Sequence, residues 1–278
     1  MPPAARQGSF RSVLLAALNT RYYAEVLRGA RLGTEEAIAE AGSLEEVLAR
    51  LPRVEPGLVC TDSHALLNPA APAWQRRELF WPLPPASRTA VLSALVETRD
   101  GLRMFRGDGA RGLDRWRPDA LAGPVGVLRR LAEEGGLPRP LNHSVIAFVT
   151  LRRTFLTEAV RELFWSTWGV PVFGQIFGLS RELLAWECEA HAGYHFDPHR
   201  VVFEVDPQGA EPELLVTSLD GLRRPAIRLA TCLTGWIDAS TCGCGRSGSR
   251  LVDVRPRSQV RVAAAAAAGG GPRSGVLR

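Results

Sequence analysis

The run SVIAFVTLRRTFLTEAVRELFWSTWGVPVFGQ, Ser144 to Gln175, decides the fold. Ser144 to Leu151 is apolar and rich in β-branched residues, the composition of a buried strand. Thr154 to Trp168 carries the spacing of an amphipathic helix and is closed by Gly169. Val170 to Gln175 reads as a second strand. Strand, helix, strand in this order predicts a parallel pair joined by a right-handed crossover.

Upstream, Asp119 to Glu134 reads as a helix ended by Gly135-Gly136. Asp100 to Arg117 is glycine-rich and reads as loop or hairpin, and Ala90 to Thr98 as a helix. Arg53 to Arg88 is broken by prolines, with an edge strand expected at Leu79 to Trp81. The N-terminal part is helical: Val13, Leu14, Ala17, Leu18, Tyr22, Val26 and Leu27 recur at helical spacing over Phe10 to Ala30. Gly33 and Thr34 then break and restart it. Ser43 and Glu46 form a capping box for a helix over Leu44 to Leu51, stopped by Pro52.

Downstream the pattern changes to short strands at Val201–Val205, Glu213–Ser218, Gly235–Asp238 and Leu251–Val254. The expected fold class is α/β, with a parallel strand-helix-strand core and a smaller β-rich subdomain. Five segments follow: a helical region 1–52, an irregular connection 53–117, an α/β core 118–206, a β-rich subdomain 207–262 and an Ala/Gly tail 263–278 expected to be disordered.

The 278 residues carry 34 basic and 29 acidic side chains, and every basic one is arginine. The lack of lysine excludes Schiff-base chemistry and a P-loop nucleotidase in their usual forms. The arginines are scattered without interleaved aromatics, so no nucleic-acid partner is expected. No apolar run approaches the ~20 residues of a membrane span. Neither does the N-terminus carry a signal-peptide cleavage pattern. Five cysteines, an odd count, fit a disulfide framework poorly and predict a reducing, cytoplasmic setting.

Cys188, His195, Cys242 and Cys244 are the most informative chemistry. Three thiolates and an imidazole suit a tetrahedral zinc, and a full set of four protein ligands makes a structural rather than a catalytic site. Cys242-Gly-Cys244-Gly is a tight knuckle whose glycines let the backbone fold round an ion. His191 and His199 share the loop and are alternative fourth ligands. Cys60 with His64 is a weaker pair, and Cys232 reads as core. Asp62, Ser63 and His64 are adjacent in the chain and cannot converge as a catalytic relay. Glu187 and Glu189, flanking Cys188, read as solvated or as supports of the metal ligands. His143 reads as a turn residue.

LLAWECEAHAGYHFD (Leu183–Asp197), VVFEVD (Val201–Asp206), ELLVTSLDGLRRPAIRLAT (Glu213–Thr231) and CGCGR (Cys242–Arg246) resemble, in order and spacing, the phenylacetate–CoA ligase family of adenylate-forming enzymes. The resemblance covers about residues 118 to 254, roughly half the chain. It implies part of that group's large domain and zinc at the four ligands. Phe177, Gly178, Ser180 and Arg228 would mark a residual site for ATP or AMP. A pocket for a small aryl or acyl carboxylate would be lined by Phe173, Phe177 and Trp186, residues that read more readily as ordinary core packing.

The activity implied is ATP-dependent adenylation of a carboxylate and its transfer to coenzyme A, and four requirements of that chemistry are missing. No Ser/Thr/Gly-rich phosphate loop precedes Leu121; Pro85-Ala-Ser-Arg-Thr89 lacks glycine. Arg181 stands where a magnesium-binding Glu belongs, with Glu182 one position late. Arg228-Leu-Ala-Thr-Cys-Leu233 lacks the ribose-binding Asp. The small C-terminal domain with its lysine is not found. The expectation is therefore a divergent binding or accessory protein without catalytic residues. The alternatives are an acyl- or aryl-CoA ligase or acyltransferase completed by a protein partner, and a zinc-stabilised interaction module with an acidic partner.

Overall fold

A computed structural model describes residues 3–72, 79–92, 101–105, 112–135, 137, 139–151, 155–208 and 211–257. Helices α1 (Pro3–Leu18), α2 (Arg21–Gly29), α3 (Glu35–Ala39), α4 (Leu44–Arg50) and α5 (Pro56–Thr61) open the chain. The apolar spacing over Phe10 to Ala30 suggested continuous helix, but the chain breaks at Asn19-Thr20. There the Thr20 hydroxyl donates to the carbonyl of Ala17 at 2.8 Å and accepts from the N–H of Tyr23, ending one helix and capping the next. Thr34 caps α3, and Ser43 and Glu46 form the expected capping box of α4.

A nine-stranded sheet follows in the order β11-β12-β7-β6-β5-β4-β3-β1-β2. Its strands are β1 (Thr89–Val91), β2 (Leu102–Met104), β3 (Ala120–Pro124), β4 (Val145–Thr150), β5 (Val172–Phe177), β6 (Leu183–Glu187), β7 (Tyr194–His195), β11 (Leu233–Asp238) and β12 (Arg250–Pro256). From β2 to β5 the pairing is parallel, and from β5 to β11 it is antiparallel. A second, antiparallel sheet joins β8 (Val201–Asp206), β9 (Glu213–Ser218) and β10 (Leu229–Ala230). The short helix α6 (Leu113–Trp116) precedes β3, α7 (Val125–Glu133) links β3 to β4, and α8 (Glu158–Trp168) links β4 to β5.

The parallel β4–β5 pair confirms the strand-helix-strand reading. Several local expectations are corrected. Asp119 to Glu134 is a strand followed by a helix, because Ala120 to Pro124 is paired on both sides and Pro124 ends the strand where α7 begins. Ala90 belongs to a strand, and the rest of the helix expected to Thr98 lies outside the described residues beyond Leu92. Asp100 to Arg117 contributes a parallel strand and a helical turn rather than a hairpin. Leu79 to Trp81 forms no strand; it crosses the sheet face, with its backbone held by the Gln175 side chain. The tail 263–278 lies outside the described residues, as does the Cys60 side chain.

Alternation along the strands sorts two apolar faces. Val145, Ala147 and Val149 of β4, with Val172 and Ile176 of β5, pack with Leu128, Leu131, Phe164 and Trp168 of the crossover helices. Ile146, Phe148 and Phe177 face the other way and join Val91, Ala122 and Leu183 beneath the Leu79–Trp81 strap. The N-terminal helices share the larger core and are tied to the second sheet. The Tyr23 hydroxyl donates to the carbonyl of Ile227 and accepts from its N–H, at 3.1 and 2.9 Å. Arg53 pairs with Asp206 and Glu213 at 2.7 and 2.9 Å. No helix among the described residues is long and apolar enough to cross a membrane.

Candidate metal centre

Three strand pairings build the centre. Trp186 of β6 pairs with His195 of β7, so Cys188, just past β6, and His195 meet at one end of a hairpin. His195 pairs in turn with Arg250 of β12. This brings in the β11–β12 connection, which carries Cys242 and Cys244. Gly193 (φ +113°) is required at the crossing, since a Cβ there would lie 2.3 Å from the carbonyl oxygen of Leu251. The knuckle closes on itself through the Gly245 N–H, which donates to the Cys242 carbonyl at 2.9 Å.

The donor atoms of Cys188, His195, Cys242 and Cys244 all lie within 4.8 Å of one another. Cys188 Sγ is 3.7 Å from Cys242 Sγ, and Cys244 Sγ is 3.5 Å from His195 Nε2. A zinc tetrahedron with bonds of ~2.3 Å to sulfur and ~2.0–2.1 Å to nitrogen has S–S edges of about 3.8 Å and S–N edges of about 3.6 Å. The Cys188–Cys242 and Cys244–His195 pairs stand at those separations and the other donors lie within 4.8 Å, so the residues fit the ion. Four protein donors close the site to substrate, which makes it structural.

The surroundings favour the ligating forms of some donors and oppose others. Burial lowers the His195 pKa, with Arg246 and Arg250 adding positive charge, which favours the neutral imidazole that a ligand must be. Burial works to raise Cys244, but the backbone N–H of Arg246 and the neighbouring thiols bring it down to about 7. Burial pushes Cys188 up to about 11, a cost that a cation relieves. His191 is not in the cluster: its ring stacks on Phe173 with centroids 4.7 Å apart. His199 also lies outside it. Glu189 pairs with Arg246, the residue after the knuckle, at 2.7 Å.

The turn between β5 and β6 lies at the opposite end of β6 from the centre. Phe177 packs edge-on against Phe148, and Ser180 Oγ accepts from the N–H of Arg224 at 2.7 Å. Arg228 is held elsewhere, by Glu204 at 3.2 Å and the Leu51 carbonyl at 2.6 Å, and makes no hydrogen bond to the turn among the described residues. Sequence spacing therefore grouped Phe177, Gly178 and Ser180 as neighbours, while Arg228 braces the second sheet against α4. Glu182 is 4% exposed, with its carboxyl buried near Ser218. The carboxyl fills the space beside two glycines: a Cβ at Gly178 or Gly221 would come within 2.1 or 2.6 Å of Glu182 Oε1. Burial raises its pKa to about 7.

Phe173, Phe177 and Trp186 do share a sheet face, but each ring has an aromatic neighbour: His191, Phe148 and, at 4.9 Å, Phe80 of the strap. The packing reading of these residues is the observed one. Arg246 lies over the outer side of Phe80 at 5.3 Å, which joins the strap to the metal knuckle. Sequence reasoning missed the Arg161–Glu187 pair. Glu187 is 5% exposed and takes two hydrogen bonds from Arg161, at 2.8 and 3.2 Å, so it is neither solvated nor bonded to a ligand side chain. Nothing in the spacing of residues 26 apart signals such a pair. His143 is a turn residue as expected, bonded to Ser144 Oγ and the Pro84 carbonyl, both at 2.8 Å.

No family model and no curated protein matches the sequence. Among solved structures the fold is similar to that of a 2-hydroxyisobutyryl-CoA ligase. Its complex with 2-HIB-AMP and CoA in the thioesterification state superposes with a TM-score of 0.62 at 18% identity, over 92% of this chain and 69% of that one. An open conformation with the same ligands gives 0.61 at 17%, over 92% and 71%. The post-adenylation state with R3-HIB-AMP gives 0.60 at 16%, over 91% and 67%. The likeness is one of fold: the chain shares the α/β architecture of that ligase over the matched residues.

Proposed function

We propose that this chain is a divergent relative of the phenylacetate–CoA ligases that no longer activates acids with ATP and serves as a binding or accessory protein in the cytoplasm. In this reading the metal centre holds zinc, which fixes the β6–β7 hairpin to the β11–β12 connection. The ligand is a small aryl or acyl carboxylate.

The observation that carries this reading is the state of the β5–β6 turn. Its groups are engaged with one another: Glu182 lies between Gly178 and Gly221, and Ser180 is bonded to Arg224. Arg181 brings positive charge where the resemblance calls for a magnesium-binding carboxylate. Arg228 is committed to Glu204 and Leu51. A developing phosphoryl charge needs preorganised donors and a metal, and this turn offers a buried acid.

ATP–pyrophosphate exchange with a panel of aryl and short acyl acids tests it. The expected result is no exchange above background while aryl acids still raise the melting temperature. Robust exchange by the chain alone would overturn the proposal and favour an active ligase.

A further inference from the structure

The parallel strands have two ends. The β5–β6 turn lies at their carboxyl end. At the amino end, where β1, β3 and β4 begin, there is a cavity of about 250 Å³ whose walls include Arg88, Arg117, Asp119, Arg139 and Asn142, with Leu113 among its lining residues. Leu113 is fully buried, so the cavity has a fixed wall. Arg88 donates to Asp119 at 3.4 Å, and that pair is neutral. Arg117 and Arg139 have no ion-pair partner among the described residues.

Two arginines without an ion-pair partner among the described residues line one small cavity, and an anion held there would be attracted by both. Arg117 is also held in the left-handed region (φ +52°), a conformation that costs a non-glycine residue on the order of 1 kcal/mol. It caps α6, donating its N–H to the Leu113 carbonyl at 2.9 Å, so its backbone is fixed by the helix end. Asn142 also lines the cavity, and its side chain carries an amide able to donate. Planar guanidiniums match the oxygens of a tetrahedral oxyanion in bidentate fashion. The uncompensated charge of two matches a dianion.

We propose that this cavity binds a compact phosphate dianion, either free phosphate or a phosphomonoester group on a small molecule. The site uses no residue of the metal centre or the β5–β6 turn and does not rest on the proposed function.

The test is titration of the full chain, by calorimetry and thermal melting at low ionic strength. The ligands are inorganic phosphate, glycerol phosphate and succinate, with chloride at matched ionic strength as reference. Phosphate or glycerol phosphate should bind saturably and raise the melting temperature, and whichever binds tighter names the source. Arg117→Ala and Arg139→Ala should each weaken binding by about tenfold, and Arg117→Lys by less, because lysine keeps the charge and loses the fork. Both arginines are solvent-exposed, so the variants should fold and melt as the parent does without ligand. Three results would each overturn the proposal: no saturable shift beyond chloride, tighter binding of succinate than of either phosphate, or unchanged binding by the Arg117→Ala/Arg139→Ala double variant.

Discussion

Cys188 Sγ stands 3.7 Å from Cys242 Sγ although 54 positions separate them in the chain. Two sulfurs at that distance are too far apart for a bond of ~2.05 Å and at the spacing of two ligands on one zinc. The purified protein, prepared without chelator, should therefore carry about one zinc per chain. Cys242→Ser should reduce metal content several-fold and lower the melting temperature by on the order of 10 °C. Cys232→Ala, outside the cluster, should leave metal content unchanged. Elemental analysis that finds no metal in the parent protein would remove the site.

The Glu182 carboxyl gives stability a pH dependence whose sign is fixed. Its pKa is about 7 in the folded protein against 4.5 unperturbed, because burial disfavours the charged form. Below pH ~4.5 the group is protonated in both states and its contribution is fully present. As pH rises from ~4.5 to ~7 the unfolded chain releases the proton first, and about 3 kcal/mol is lost. Glu182→Gln should flatten this slope and leave the protein more stable than the parent at pH 8. Denaturation at a series of pH values checks it; an unchanged slope in the variant would show that Glu182 is not the group responsible.

The ligand set was legible in the sequence because thiols and imidazoles in a knuckle carry their chemistry whatever the fold around them. The central crossover was legible too, since Val145 to Thr150 is an unbroken apolar run of strand length. Ala120 to Pro124 was not: Ala-Leu-Ala-Gly-Pro has neither alternation nor β-branching, and only pairing with β1 and β4 makes it a strand. Leu183 to Glu187 was hidden differently. It is a short strand whose register depends on β5 and β7, neither of which local pattern can place. The burial of Glu182 was beyond reach for the same reason, because Gly221, 39 positions away, forms one wall of its slot.

The Arg161–Glu187 pair should behave as a buried ion pair. Glu187 is 5% exposed and also accepts from the Gly174 N–H. Arg161→Met keeps most of the side chain's volume but leaves that carboxylate without its cation, at a cost of about 3 kcal/mol. Adding Glu187→Gln should recover part of the loss, since a neutral amide tolerates the site better than a lone charge. Urea denaturation of the two single variants and the double variant measures the coupling. Additive losses would mean that the two groups do not act on each other.

Phe80 supplies the sharpest check on the proposed ligand. Its ring stacks on Trp186 at 4.9 Å, its backbone N–H and carbonyl bond the Gln175 side chain, and Arg246 covers it. The ring thus occupies the place on the sheet face where an aryl group would lie, with an amide and a guanidinium beside it. Phe80→Ala removes a half-buried ring and should cost about 2 kcal/mol, less than the 3–5 kcal/mol of a fully buried one. The space it leaves has an aromatic floor and should accept a small aryl group, as dry apolar cavities do. Benzoate should then raise the melting temperature of the variant more than that of the parent, and its neutral analogue benzamide should do so less because it forgoes the charge on Arg246. Equal responses of parent and variant to benzoate would place the aryl site elsewhere. Equal responses of the variant to benzoate and benzamide would show that Arg246 does not read the carboxylate.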